Sequence, residues 1–380
     1  MTLLIPKRFQ HLTLSKKIQY KGTNLKTVYL LHLIHHFIFN YTFDKDELKL
    51  SSKLLQKIIG MTYLRYIEYL VDNCFIEKSR NYSTDHGTAN KYKLIEKIEE
   101  VVVYNSTDFV FNKKIRRRND EKIKKVKNVK SPIPKEIRRK LIEDLSAVSI
   151  DDQSALNYIE TEVMDNRRRY IKNLINIMKI KDEDIYWKFD KHGRFHSNFT
   201  NIKREVRDKY LQIDGEPVRK LDIRSSQPFF LAQVLKKDWL INDNEEVKRF
   251  INIVETMDIY KYFFEKYPAS FKDRDAVKPM MFKCLFDPRK YVKKNKELFR
   301  KEFPFILEYI ENYKVNNGEH LWKTLQRMES YFLFNMVYPA IIGRFKDIKL
   351  FTVHDSIHFP SKYFSDIKVI WDKNLAAVTS

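Results

Sequence analysis

The chain has 380 residues, with 72 Lys and Arg against 50 Asp and Glu, a formal charge of +22 at neutral pH. Its 43% hydrophobic content excludes wholesale disorder, and the length leaves room for two or three domains. The positive surplus favours nucleic acid as a partner, although the Lys, Ile, Asn and Tyr enrichment is also what an AT-rich genome imposes.

From the N-terminus, Met1 to Arg8 lacks the ordered regions of a signal peptide. No run approaches the roughly 18–20 apolar residues of a membrane span. A cytoplasmic protein without a membrane partner is therefore expected. Helical spacing of Leu25, Val28, Leu31, Ile34 and Ile38 predicts a helix over residues 24–42. His32, His35 and His36 on it suggest a metal site, but no carboxylate or third ligand accompanies them, so a surface or packing role is expected. Ser51 or Ser52 caps a short helix, Gly60 suits the turn, and Thr62 caps a second helix from Tyr63 to Asn73. That helix is predicted to bury Tyr63, Ile67, Leu70 and Val71 and to leave Arg65 and Tyr66 elsewhere. Phe75–Lys78 and Lys91–Ile95 alternate like strands around the polar loop 79–90. Cys74, beside them, and the distant Cys284 both read as reduced core residues rather than a zinc site or disulfide.

Helix, turn, helix and hairpin in this order resemble a winged helix-turn-helix domain. The resemblance implies DNA binding by the second helix through Arg65 and Tyr66, with loop 79–90 as the wing. A basic stretch from Lys113 through Arg116-Arg117-Arg118 to Lys130 follows, broken by Pro132 and Pro134. It reads as a linker able to lie along a phosphate backbone, or as a solvated tether. Residues 138–185 are patterned as helices, with Arg167-Arg168-Arg169 ahead of an apolar face of Ile171, Leu174, Ile175 and Met178. A strand and turn are predicted from Trp187 to Arg194.

The remaining motifs carry chemistry. Lys220-Leu221-Asp222-Ile223-Arg224-Ser225-Ser226-Gln227 ends a strand on a carboxylate, and Val353-His354-Asp355-Ser356-Ile357 places another at a strand-turn-strand tip. Arg274, Lys278, Phe282 and Phe286 are spaced four apart, as along one slowly rotating helix face. Two carboxylates on adjacent strand ends can hold a pair of magnesium ions about 3.5–4 Å apart. Cations one turn apart can grip a triphosphate, and an aromatic beyond them can stack on a base.

With Gly193-Arg194-Phe195-His196-Ser197, these segments resemble, in order, the palm and fingers of family A DNA polymerases and their relatives, the single-subunit phage-type RNA polymerases. Phe299 to Glu311 resembles the stretch after the fingers helix. The likeness covers under half of the chain. It implies Asp222 and Asp355 as magnesium ligands, with manganese as a substitute, and Lys278 as the group that protonates pyrophosphate. It further implies Arg274, Lys278, Phe282, Phe286 and Gln227 at the nucleotide, and Arg194, Arg207 and His354 at the nucleic acid. Gln326 and Glu329 are implied, with a weaker claim, to point towards the site. His196 and His358 read as packed strand histidines. Pro279 departs from the family and is expected to disturb the helix; Lys283 and Asp287 stand where many members carry glycine.

The expected architecture is α+β. A winged helix (about 1–110) and a basic linker (about 111–137) precede a compact right-hand polymerase (about 138–380) with an antiparallel palm sheet and helical thumb and fingers. The thumb is expected at about 138–185, the palm at about 186–235 and 319–380, and the fingers at about 236–318. The implied function is template-directed nucleotide transfer, with DNA template, primer or promoter DNA and nucleoside triphosphates as partners. No proofreading motifs are evident. Gln227 is neutral where DNA polymerases carry Glu, and Ser356 follows Asp355 as in the RNA polymerases, whereas Phe282 leans to DNA. DNA synthesis is favoured, in a phage, plasmid or mobile-element setting. The alternatives are an RNA polymerase or primase on the same scaffold, and a non-enzymatic winged-helix initiator or regulator.

Overall fold

The computed structural model describes residues 2–41, 48–50, 52–78, 91–95, 100–114, 131–286 and 296–379. The expected wing (79–90), most of the basic stretch (115–130) and Asp287 lie outside them. The fold is α+β with antiparallel strand pairing. It divides into two units that interleave along the chain: residues 1–128, 148–186 and 197–215 form one, and 129–147, 187–196 and 216–380 the other. This differs from the expected three-part division. The stretch assigned to a thumb is shared out, with helix Lys135–Asp144 in the second unit and helices Asp152–Glu162 and Arg167–Lys181 in the first.

In the first unit, strand Thr2–Pro6 is buried along its whole length and pairs antiparallel with Val101–Asn105. A run of Leu3, Leu4 and Ile5 buried on both faces suits such a strand better than alternation would. Helix Thr27–Tyr41 packs beside it, and His35 belongs to that packing: its Nδ1 accepts the Leu4 amide at 3.0 Å. Burial holds the His35 imidazole well below its ordinary pKa. His32 sets its ring edgewise to Phe111 at 5.2 Å, so His32 and His35 both take part in packing. Helices Ser52–Ile58 and Tyr63–Asp72 follow, with a small sheet in which Lys91–Leu94 lies between Leu48–Lys49 and Ile76–Lys78. Asn166 caps helix Arg167–Lys181 by accepting the Arg169 amide, and the expected apolar residues of that helix are buried. Cys74 is exposed, contrary to expectation, and sits at φ +53 just past a helix end; Cys284 is buried.

The second unit is built on an antiparallel arrangement in which Ser356–Pro360 lies between Phe351–Val353 and Glu216–Asp222. Helix Ser226–Lys237 leaves directly from the Asp222 strand, and its residues Ser226 to Gln233 are buried. Helix Leu321–Tyr331 runs through a π-helical segment, Phe332–Val337, into Tyr338–Arg344. Asp144, fully buried, accepts from Lys140, from the Tyr338 hydroxyl at 3.0 Å and from the Leu350 amide at 3.2 Å. It thereby ties the approach to the Phe351 strand to two helices. The helices within 245–286 and 296–317 close around Phe250, Phe263, Phe299 and Phe303, all with no exposed surface. Each such ring contributes about 2–3 kcal/mol through burial.

Candidate functional site

Asp222 closes its strand opposite Ser356 in the register, and Val353 pairs with Ser356, which leaves His354 and Asp355 as the two loop residues of a tight hairpin. Such loops demand positive φ, and His354 supplies it at +55. The Ser356 hydroxyl donates to the Val353 carbonyl at 2.7 Å and fixes the turn. The two aspartates thus emerge at one edge of the sheet from adjoining strands. Their charges feel each other. The Asp355 carboxyl is pushed up to about 7, by burial first and then by the negative charges of Glu329 and Asp222, with Arg194 opposing.

Glu329 is 2% exposed and is the neighbour that sequence reasoning placed low. Its carboxylate accepts four hydrogen bonds: from Arg194 Nε at 3.1 Å and Nη2 at 2.8 Å, from Ser226 Oγ at 2.8 Å and from Gln227 Nε2 at 2.5 Å. Arg194, expected on a nucleic-acid backbone, therefore has its guanidinium turned to Glu329. The turn that carries it is tightly specified. Asp190 Oδ1 accepts the His192 and Arg194 amides, each at 2.9 Å, and His196 Nε2 hydrogen-bonds Oδ2 at 3.1 Å. Burial alone would raise the Asp190 carboxyl, but these bonds outweigh it and hold it at about 2.

Gly193 sits at φ +87, and a Cβ there would lie 2.9 Å from Pro132 Cγ and 3.0 Å from Ser330 Cβ. Gly193→Ala is expected to lower unfolding free energy by about 2–4 kcal/mol, from backbone strain and overpacking together. Denaturant titration measures this, and an unchanged midpoint would refute the packing argument.

The Arg274–Phe286 ladder is not one α-helix. Arg274–Val277 form a 3₁₀ turn capped by Asp273, and the α-helix begins at Lys278. Pro279 therefore falls in the first turn of that α-helix, where proline is tolerated, rather than in its interior. Arg274 donates through Nε at 2.7 Å, and through Nη2, to Asp258 Oδ2, and through Nη1 to Asp275 at 2.8 Å. Lys278 Nζ lies 3.1 Å from Asp275. Both cations sit over the Tyr260 ring, at 4.9 and 6.0 Å from its centroid. Asp258 also accepts from the Ser225 hydroxyl and the Tyr260 amide, so one carboxylate joins the ladder to the turn after Asp222. Burial raises the Tyr260 hydroxyl pKa, and Asp355 is among the charges that add to the effect. Phe282 is 43% exposed and stacks on Phe286 with centroids 5.5 Å apart, so an open aromatic face stands beside the cations.

Other expected contacts lie elsewhere. Tyr66 is a core residue at 4% exposure, its hydroxyl accepting the Lys26 amide at 2.9 Å, so it is not a groove-facing side chain. Arg65 is exposed and paired with Glu68 at 2.9 Å. Arg207 belongs to the first unit, and its largely buried guanidinium donates to the Phe199 carbonyl at 2.9 Å, a structural role rather than a phosphate contact. His354 is exposed, 6.2 Å from the His196 ring, whereas His358 is buried, stacked on Phe351 and within 3.0 Å of Ser356 Oγ. Asp258 and Tyr260 were missed; an Asp before an apolar run signals a helix cap, and nothing in it foretells Arg274.

Among the described residues, no group of three or more His, Cys, Asp or Glu is arranged to hold a metal ion. The Asp222–Asp355 pair nevertheless has the right donor chemistry. Magnesium takes hard oxygens, commonly one or two carboxylates, and completes its shell with water and substrate phosphates. The negative charges of Glu329 and Asp222, which add to the effect of burial on Asp355, are what a divalent cation would relieve. Two pockets, of about 390 and 550 Å³, lie on the second unit, and neither is lined by these aspartates. No helix among the described residues is long and apolar enough to cross a membrane. Comparison with protein-family models, curated proteins and solved structures finds no match to the chain.

Proposed function

We propose that the chain is a magnesium-dependent, template-directed nucleotidyltransferase, a compact family A-like DNA polymerase brought to DNA by its N-terminal helices and sheet. The observation that carries this reading is the meeting of Asp222 and Asp355 at adjoining strand ends, where the Asp222 charge helps to raise the Asp355 carboxyl, beside a ladder that offers two cations and an open ring. Magnesium bound by the two carboxylates would supply activation of a 3′-hydroxyl and neutralisation of the departing pyrophosphate.

The protein's own groups do the rest. Arg274 and Lys278 exchange Asp258 and Asp275 for the triphosphate, and the Tyr260 ring holds both cations in place meanwhile. Lys278 then provides the proton that pyrophosphate needs as it leaves. Phe282 offers its exposed face to the base. For the N-terminal part, the sheet order, with Lys91–Leu94 central, and the two preceding helices support a winged-helix reading.

A second reading, ribonucleotide polymerisation, draws on Gln227, a neutral side chain hydrogen-bonded to Glu329 where the DNA enzymes carry a carboxylate. One experiment serves both. The full chain is given a template, with and without primer, and either dNTPs or rNTPs in magnesium buffer. Primer extension with dNTPs is expected; rNTP incorporation alone selects the second reading. No incorporation in any combination overturns the enzyme, and a mobility shift without synthesis then selects a DNA-binding initiator.

A further inference from the structure

Glu329 is a carboxylate with almost no contact with water and, among the described residues, a single cation, Arg194, paired with it. Burying such a charge is costly unless its oxygens are fully hydrogen-bonded, and here both oxygens are engaged. The partners come from separate elements of the second unit: the Asp190–Arg194 turn and the start of helix Ser226–Lys237. Gln227 is itself 7% exposed, with Nε2 committed to Glu329, because only the N–H side of an amide can face a carboxylate. Its Oε1 is buried and has no hydrogen-bond partner among the described residues. Unpartnered buried acceptors are rare and are found where a ligand or water completes them.

We infer that Glu329 is a positioning residue for nucleotide binding, locking the Gln227 amide so that its free oxygen receives a hydrogen-bond donor of the bound nucleotide, and this rests on the polymerase reading above. A carboxylate at 227 would meet Glu329 as a second buried like charge at hydrogen-bond distance, so one of the two would have to take up a proton, at a cost in binding at neutral pH. An amide at 329 lets the Gln227 amide turn over and present N–H in place of oxygen. Transposing the two groups, Gln227→Glu with Glu329→Gln, restores one carboxylate facing one amide.

Steady-state incorporation by the full chain tests this, with thermal melts to verify folding. Glu329→Gln is expected to raise the KM for the incoming nucleotide about ten- to a hundredfold with a smaller fall in kcat, the range that leaving one buried polar group without its partner supports. Gln227→Glu should lose at least as much, and the transposed double variant should recover about tenfold over Gln227→Glu. Should Glu329→Gln not fold, Gln227→Met, which removes the amide at similar volume, must show the same KM rise. An unchanged KM in the folded Glu329→Gln or Gln227→Met protein, or a double variant whose loss is merely the product of the single losses, overturns the inference. Wild-type protein that incorporates no nucleotide overturns the polymerase reading and this inference with it. Active wild type, inactive Asp222→Asn and unaffected Glu329→Gln overturn the inference alone.

Discussion

Replacing Asp222 or Asp355 with alanine is expected to lower nucleotide incorporation by about a thousandfold or more while DNA binding stays within about twofold. The size follows from the several kcal/mol that charge neutralisation contributes to phosphoryl transfer, each 1.4 kcal/mol being about tenfold in rate. Binding is spared because the surplus of cations is untouched and loss of a carboxylate removes a repulsion. Neither change should harm the fold. Asp222 is exposed at a strand end, and Asp355 occupies a hairpin loop where its charge is opposed by two like neighbours. Single-turnover primer extension beside a mobility-shift titration makes the measurement, and activity surviving in both variants would refute the proposed site.

Glu302→Ala is expected to destabilise the protein by about 1–3 kcal/mol, the cost of leaving hydroxyl donors without their buried acceptor together with the loss of ion pairs to two half-exposed cations. Glu302 is 6% exposed and accepts from Arg249 at 3.1 Å, Lys266 at 2.7 Å and Tyr262 at 2.7 Å, and from Tyr267, which binds its other oxygen. Arg249 and Tyr262 lie against Phe303 and Tyr267 against Phe263, so losing the carboxylate leaves the two tyrosine hydroxyls without their acceptor beside the aromatic core, while Arg249 and Lys266 keep contact with water. Burial would raise the Glu302 carboxyl, but its donors outweigh this and hold it at about 2. A carboxylate depressed on folding contributes stability that is complete above its ordinary pKa of 4.5 and is lost as pH falls from there through about 2. Unfolding free energy of the wild type should therefore drop across that window, and Glu302→Gln should lack this part of the drop. Urea titrations at pH 7 and pH 3 decide it; parallel losses in both proteins would mean that Glu302 is not the titrating group.

Much of the framework was legible. Periodicity located the helices around residues 27–41, 63–72 and 167–181, and the strand-like run ending at Asp222 and the strand-turn-strand around Asp355 are strands in the structure. These are local signals, because an apolar stripe has to fall on one face of its own element. The failures share a cause. The stripe of Tyr63, Ile67, Leu70 and Val71 leaves Tyr66 elsewhere, but the Tyr66 hydroxyl accepts the Lys26 amide, 40 positions away, and Tyr66 is buried together with Ile67 and Leu70 while Tyr63 and Val71 are only half-buried. Arg207 was read as a free cation, and burial against Phe199 removes it from that role. The ladder spacing suggested one helix, but Asp273 caps a tighter turn first, and this puts Pro279 where it does no harm.

The sequence by itself determined the chemistry available: a chain with excess positive charge, two aspartates set in strand-end motifs, and Arg, Lys and Phe at fixed intervals between them. Which of these groups meet was decided by tertiary structure alone. Asp222 and Asp355 adjoin because antiparallel register sets Asp222 against Ser356. Glu329 became the centre of a buried network because Arg194, Ser226 and Gln227 converge on it from other elements. A residue's type states what it can bond, but its burial and partners arise from chain segments more than a hundred residues away, and no local pattern encodes them.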